Sequence, residues 1–395
     1  MPTIKNIVVL ITGGIAAYKV PLLVRSLMRA DYTVRVAMTP AAATFVTPAT
    51  LATLTKHEAV TDDHEFDHPE HVVHVELAQW ADMMLVVPAT ANSLAKFAQG
   101  LADNVVSTSW LAFDGPKLVV PAMNDKMWAN AATQSNVRRL KDMGVRVLPP
   151  AEGFLAEGYT AVGRMPDLDV IQLFVDTYQA KQPLAGKQVL VSAGGTQERI
   201  DPVRYIGNDS SGKMGTAVAN AAAAAGADVT LVATKMLPVL PAVDAVYVTS
   251  AAEMHDAMLA NFEGADLVVM AAAVADFRPT TVSGNKIKKQ SGDDALHLDL
   301  VQNPDILAEM GAQKSHQYLV GFAAETNDLV ANAQAKLERK GADMIVANPV
   351  GYGQGFNTDT DTVTILRPDQ APLALDEAAK TEVASTIVRL AAMAM

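Results

Sequence analysis

Five short stretches place polar side chains among small ones in a way that serves chemistry better than packing. "ITGGIAAYK" sets Gly13 and Gly14 between a β-branched run and a helical one. Backbone amides and a helix N-terminus can hold a phosphate there, although a tight strand-to-helix turn needs the same glycines. "VPATANSLAKFAQGLADN" supplies Thr90, Asn92 and Asn104, neutral hydrogen-bonding groups that suit a polar, planar cofactor. "PAMNDKMW" puts Asn124 at a strand-to-helix junction, the position of a helix N-cap. His74 lies in "EHVVHVELAQWAD"; a reference pKa near 6.5 opens acid or base work to it, beside a plain surface or capping role. "EGFLAEGYTAVGRM", Glu152 to Met165, reads as a glycine-punctuated loop with Glu157 in its middle.

The second half of the chain has its own candidates. "GNDSSGKM" fits G-x-x-x-x-G-K but carries Met214 where a P-loop needs a hydroxyl for magnesium. It still suits an anion at the start of the helix that follows. "AAAVADFRP" ends a buried run with Asp276, and "NKIKK" brings Lys286, Lys288 and Lys289 into an acidic protein. Those lysines are either a solvated edge or a triphosphate clamp with magnesium nearby. Lys336 and Lys340, four apart on one helix face, repel unless they share an anion.

These residues need a scaffold, and the composition supplies one. The chain has 395 residues, of which 50% are hydrophobic and 19% charged, so two globular domains with real cores are expected. A net charge of -12 argues against a general nucleic-acid or anionic-membrane surface. The N-terminal apolar run is too short to span a bilayer and lacks a cleavage pattern, so a cytoplasmic protein is expected. There is no cysteine, which excludes disulfides, thiolate metal sites and cysteine nucleophiles. Short β-branched runs alternate with helical patterns from "IVVLIT" to "VRVLPP", and again from "QVLVSAGG" to "DTVTILRP". Alternation of this kind means βαβ units. The expected fold is α/β with two doubly wound parallel sheets, one in residues 1–180 and one in residues 187–395, and a helix from about Asp376 to Met393 closing the chain. "ADMMLVVPATAN" and "ADLVVMAAAVAD" each end a buried strand in small residues, and ligands in open α/β sheets sit outside such ends.

Taken together, "TGGIAAYK", "HVELAQWAD", "PATAN", "GLADN", "PAMNDKMW" and "GRMP" resemble the flavin-dependent cysteine decarboxylases, in particular the decarboxylase half of the bifunctional coenzyme A biosynthesis flavoproteins. The resemblance implies that Gly14, Ile15, Ala16, Thr39, Thr90 and Asn92 surround FMN. His74 would be the catalytic histidine, and Asn124 would hold the carboxylate that is lost. A cysteine-derived carboxylate lacks an electron sink, so the flavin is expected to oxidise the thiol carbon to a thioaldehyde through which carbon dioxide leaves. The remaining enethiol must then be saturated with help from a proton donor.

The chain departs from that family at one position. The family loop carries "ACG" before "GRM" or "GRL", and the cysteine gives the proton; here Ala156, Glu157 and Gly158 stand in its place. A free glutamate is protonated to only roughly 0.2% at neutral pH. Burial under a closed loop would have to raise its pKa to about 6 or 7, at a cost near 2.7 kcal/mol for about two units. Tyr159 or water is the alternative donor, and a lost or truncated reaction is a further one.

"SAGGTQERIDPVRYIGNDSSGKMG", "AAAVADFRP", "KIKK", "NPDIL", "GFAAET", "KLERKGADMIVAN" and "GFNTDTDTVTIL" resemble the phosphopantothenate-cysteine ligase half of the same bifunctional family. That resemblance implies a nucleotide, CTP in bacterial types, held by Ala271, Ala272, Asp276, Lys286, Asn303, Pro304, Asp305, Ile306, Phe322, Lys336 and Lys340, with Mg2+. Asn208 would steady an acyl-cytidylate, although Asp209 replaces the family histidine beside it. The implied substrates are 4'-phosphopantothenate, cysteine, CTP and phosphopantothenoylcysteine. The implied homo-oligomer is built from trimers of the first domain and dimers of the second. An alternative is an active ligase fused to a flavin-binding scaffold whose decarboxylation is impaired or stops at the enethiol.

Overall fold

Each β-branched run named above becomes a strand in the computed structural model, which describes residues 4–64, 71–178, 183–288, 296–350 and 358–395. Lys289, one of the clamp lysines, lies outside the described residues. The chain divides into two units, Met1–Gln179 and Ala180–Met395.

In the first unit the strands are β1 (Asn6–Ile11), β2 (Thr33–Met38), β3 (Ala59–Val60), β4 (Met83–Ala89), β5 (Lys117–Pro121) and β6 (Arg146–Val147). They pair in parallel in the order β3-β2-β1-β4-β5-β6. β4 is buried along its whole length, because helices cover both faces of a parallel sheet. Val8, Leu10, Met84, Val86 and Val119 meet Leu94, Phe97, Trp110 and Leu140 in one core cluster. The chain order reverses between β1 and β4, and the crevice of a doubly wound sheet opens at that reversal. The helical run expected after Gly14 begins as a short 3-10 turn, Ile15–Lys19, followed by a helix over Val20–Arg29 that takes Pro21 in its first turn, where a missing N–H does no harm.

The stretch expected to be a loop is a hairpin. β7 (Ala151–Phe154) and β8 (Thr160–Arg164) pair antiparallel outside the main sheet. The turn between them closes through Leu155, whose N–H donates to the Tyr159 carbonyl at 2.9 Å, and through Gly158 at φ +91°. Leu155 is buried and anchors a strand pair whose glycines hid it from a reading by periodicity.

The second unit has a larger sheet: β9 (Gln188–Ala193), β12 (Asp228–Ala233), β13 (Val243–Tyr247), β14 (Leu267–Met270), β17 (Tyr318–Glu325), β18 (Met344–Pro349), β19 (Thr360–Leu366) and β20 (Leu373–Ala379). Two small antiparallel pairs lie beside it, β10 (Gln197–Arg199) with β11 (Tyr205–Gly207) and β15 (Phe277–Pro279) with β16 (Leu300–Gln302). The order is β13-β12-β9-β14-β17-β18-β19-β20, parallel up to β18 and antiparallel after it. The closing helix therefore begins at Lys380 rather than Asp376. Residues 373–379 pair with β19 instead, completing an antiparallel edge on a parallel sheet. Among the described residues no helix is long and apolar enough to cross a membrane.

Candidate functional site

The reversal between β1 and β4 is tied together by Thr12, which is fully buried. Its hydroxyl donates to the Pro88 carbonyl at 2.8 Å and accepts from the Thr90 N–H at 2.9 Å. Gly13 and Gly14 follow directly. A Cβ on Gly13 would lie 2.3 Å from the Ala41 side chain, whereas one on Gly14 would meet only Thr90, at 3.7 Å. Gly13 is therefore a packing requirement, and Gly14 faces the crevice. Thr39 and Thr90 cap the helices after β2 and β4, accepting from Ala42 N and Ser93 N at 3.2 Å each, and Asn92 is exposed in the first turn of the second of these. Ile15 and Tyr18 are each 58% exposed beside this crevice, apolar surface that the core leaves uncovered. A neutral polar rim with exposed apolar side chains at a switch point fits a planar ring, and the strand-end amides fit its phosphate. Asn104 is used otherwise, as the N-cap of Val105–Ala112 in a capping box with Ser107.

Asn124 is the helix N-cap that its position suggests. Its Oδ1 caps Asp125–Ala129 by accepting from Lys126 N at 2.9 Å, which leaves Nδ2 pointing away from the helix. Nδ2 donates to Glu157 Oε1 at 2.9 Å and to the Tyr159 hydroxyl oxygen at 3.0 Å. Tyr159 in turn donates to Asp125 Oδ1 at 2.6 Å. That contact holds the Tyr159 phenol above its ordinary pKa, with the Asn124 amide working in the opposite direction, and holds the Asp125 carboxyl below its own. The hairpin is docked at this point by backbone: Met123 N donates to Gly163 O at 3.0 Å, and a Cβ on Gly163 would lie 2.2 Å from Met123 O. Glu157 is exposed and is not buried under the hairpin as expected. His74 sits in the first turn of the helix Val73–Trp80, partly buried, away from the hairpin in sequence.

In the second unit a cleft of about 1040 Å³ opens at the carboxyl ends of β14, β17 and β18. Ala271, Ala272, Asp276, Asn303, Pro304, Asp305, Ile306, Phe322, Lys336, Lys340 and Asn208 all line it. Asn208 Nδ2 donates to Ala273 O at 3.2 Å, and Asn303 joins the ends of β14 and β16 by donating to Ala275 O at 2.7 Å. The two lysines do not wait for a shared anion. Lys336 Nζ donates to the Phe322 carbonyl at 2.7 Å, and burial pushes its ammonium below the usual lysine value. Lys340, at the C-cap rather than within the helix, pairs with Asp305. Burial pushes Asp305 up, but Lys340 and the Ala308 N–H outweigh it, so the carboxyl lies below its ordinary range.

Lys286 is not brought into the cleft. It is exposed, and its neighbour Ile287 is held at both ends by the turn before β11: Ile287 N donates to Asp201 Oδ2 at 3.1 Å, and Arg204 donates to Ile287 O at 2.9 Å. Asp209 is exposed and outside the lining as well. Three buried polar residues of the lining were not among the sequence candidates: Asn348, Asp361 and Lys380, which are 9%, 8% and 6% exposed. Burial raises the Asp361 carboxyl and lowers the Lys380 ammonium. In sequence, "DEAAKTEV" looks like an ordinary solvated helix start, and only the closure of β19 and β20 puts Lys380 against the cleft. Among the described residues no group of three or more histidines and carboxylates is arranged as a metal site.

Two family models match the chain, Flavoprotein over residues 1–179 and the DNA/pantothenate metabolism flavoprotein C-terminal domain over residues 184–394. The coenzyme A biosynthesis bifunctional protein CoaBC of Bacillus subtilis is 40% identical over 391 residues, 98% of this chain and 96% of the relative. The chain belongs to the coenzyme A biosynthesis bifunctional protein family. The CoaBC protein of Mycobacterium tuberculosis is 43% identical over 97% of this chain and 95% of its own length. A solved structure of the C-terminal domain of a CoaBC protein is 39% identical, with a TM-score of 0.47, and covers 54% of this chain and 98% of that one.

Proposed function

We propose that the chain carries out two consecutive steps of coenzyme A biosynthesis: CTP-dependent ligation of cysteine to 4'-phosphopantothenate, then FMN-dependent decarboxylation of phosphopantothenoylcysteine to 4'-phosphopantetheine. The observation that carries this reading is full-length membership of a bifunctional family, at 40% identity over 98% of the chain. Residues 1–180 perform the decarboxylation and residues 187–395 the ligation.

In ligation a carboxylate must become an electrophile, and transfer to the nucleotide phosphate makes an acyl-cytidylate that the cysteine amine attacks. Lys336, Lys340 and the start of the helix Lys213–Ala224 favour the triphosphate and the departing pyrophosphate. Asn208, at the strand end, steadies the acyl-cytidylate; Asp276, Asn303, Pro304, Asp305, Ile306, Phe322 and the backbone at Ala271 and Ala272 enclose the nucleotide. Lys286 belongs to this set if its segment swings inward. Mg2+ is part of the same proposal; arriving with the nucleotide, it would offset the phosphate charge beside Lys336 and Lys340.

In decarboxylation Gly14, Ile15, Ala16, Thr39, Thr90 and Asn92 hold FMN, which supplies a two-electron acceptor for the thiol-bearing carbon. Asn124 Nδ2 donates to the substrate carboxylate in place of Glu157, His74 serves as the catalytic histidine, and an acid on the hairpin delivers the final proton. Trimers of the first unit and dimers of the second, in the cytoplasm, complete the proposal; sedimentation velocity tests the assembly. The functional test is product identification by mass from 4'-phosphopantothenate, cysteine and CTP, with the flavin spectrum followed in parallel. Pyrophosphate and 4'-phosphopantetheine are expected. Product that stops at phosphopantothenoylcysteine would return the first unit to a scaffold, and no pyrophosphate would remove the ligase reading.

A further inference from the structure

Resting on the decarboxylation just proposed, the geometry points to Tyr159, not Glu157, as the group that protonates the substrate in this cysteine-free chain. The proton must reach the carbon that has lost its carboxylate, so its donor must stand beside whatever held that carboxylate. Asn124 Nδ2 is that group, and the Tyr159 hydroxyl oxygen is 3.0 Å from it. Glu157 Oε1 is equally near at 2.9 Å, so distance alone does not separate them.

Chemistry does. Glu157 meets the amide only as an acceptor and sits in the place a substrate carboxylate would take. It is a stand-in for the substrate, displaced when the substrate binds. Tyr159 already donates its proton, to Asp125 Oδ1 at 2.6 Å, so the hydroxyl is neutral and its hydrogen is directed. The contact with Asp125 favours the protonated form at neutral pH, and the Asn124 amide is placed to stabilise the phenolate left behind. The seat is stiff: Asn124 and Asp125 belong to the capped start of a helix, and Gly163 clamps the hairpin to Met123.

The step balances as follows. The enethiol double bond takes a hydride at the sulfur-bearing carbon, returning the pair of electrons removed in the earlier oxidation. The neighbouring carbon takes the proton: a C–H bond forms as the Tyr159 O–H bond breaks, and the phenolate regains its proton from solvent.

The experiment uses the FMN-loaded full chain and phosphopantothenoylcysteine, without oxygen, in a single turnover. Tyr159→Phe is expected to bind flavin and release carbon dioxide but to slow protonation by roughly 100-fold, the typical worth of a general acid. Its product is then the enethiol, lighter by a pair of hydrogens, and the flavin absorbance stays bleached in the reduced state. Glu157→Gln, whose rate is free to change, still yields the thiol and an oxidised flavin. Thiol with reoxidised flavin from Tyr159→Phe overturns the assignment, as does enethiol from Glu157→Gln. If Tyr159→Phe loses its flavin, 3-fluorotyrosine at position 159 replaces it, and an unchanged pH at which enethiol first appears overturns the assignment. Wild type that releases no carbon dioxide sinks the decarboxylase reading, and this inference with it.

Discussion

Replacing Gly163 by alanine adds one methyl group at the point where the hairpin rests on the strand-to-helix junction. The new Cβ would lie 2.2 Å from Met123 O, 3.3 Å from Asp125 N and 3.4 Å from Asn124 C. All three are backbone atoms, so no side chain can rotate out of the way. Overpacking of this kind costs about 1–3 kcal/mol, and loss of the 3.0 Å bond from Met123 N to Gly163 O adds about 1 kcal/mol. A global penalty of about 2–4 kcal/mol would lower the melting midpoint of a unit this size by roughly 4–16 °C. If the hairpin undocks instead, the midpoint moves little, but Asn124 loses Glu157 and Tyr159. On either route the hairpin acid is displaced by about 1 Å or more, which typically reduces a positioned reaction about 100-fold. Thermal melting of the flavin-loaded protein, read beside formation of the saturated thiol product from phosphopantothenoylcysteine, distinguishes the routes. A wild-type rate of thiol formation from Gly163→Ala would refute the docking of the hairpin as a condition of catalysis.

Four further outcomes follow from the same geometry. Gly311→Ala would place a Cβ 1.9 Å from the Lys340 carbonyl oxygen; it should displace Lys340 from Asp305 and abolish CTP-dependent pyrophosphate release while leaving decarboxylation of supplied phosphopantothenoylcysteine intact. Lys380→Met removes a buried cation from the cleft wall, and the affinity for CTP measured by calorimetry should fall by roughly 10- to 150-fold, the range for a charged hydrogen bond; unchanged affinity places Lys380 outside the ligand's reach. Asp201 is held well below the usual carboxylate range by Arg204 and by the N–H groups of Val203, Ile287 and Arg204. A depressed folded-state value means its contribution is complete above the unfolded value and is lost as pH falls through the folded one, so Ile287 should keep slow amide exchange to a pH at which ordinary aspartates have protonated, and Asp201→Asn should lose that protection. The Tyr159 phenol faces Asp125 and Glu157, with Lys126 beside Asp125; Asp125→Asn removes the main cause of its raised pKa, so enethiol should appear among the products at a lower pH than in wild type, and an unmoved crossover counts against the contact.

Much of the scaffold was legible because buried parallel strands are written as uninterrupted apolar runs. "IVVLI", "MMLVVPA" and "LVVM" cannot be mistaken for surface. β7 and β20 were missed for the opposite reason. Both are exposed on one side, carry glycine or acidic residues, and pair with a neighbour in the chain, so their strand character comes from the partner and not from their own composition.

For the sites, residue type and order alone pointed to two strand ends at which small and amide side chains collect, and excluded a cysteine at either one. Tertiary structure decided which of those side chains meet. It brought Asn348, Asp361 and Lys380 from distant segments into one cleft wall and left Lys286 outside it. It also joined Asn124, Asp125, Glu157 and Tyr159, more than thirty residues apart, into a single hydrogen-bonded group. The physical reason is that a hydrogen bond depends on distance and direction, over a few tenths of an ångström, whereas periodicity specifies only which face a residue occupies. Within that group the Glu157 carboxylate accepts a hydrogen bond from Asn124 while the Tyr159 phenol gives one to Asp125.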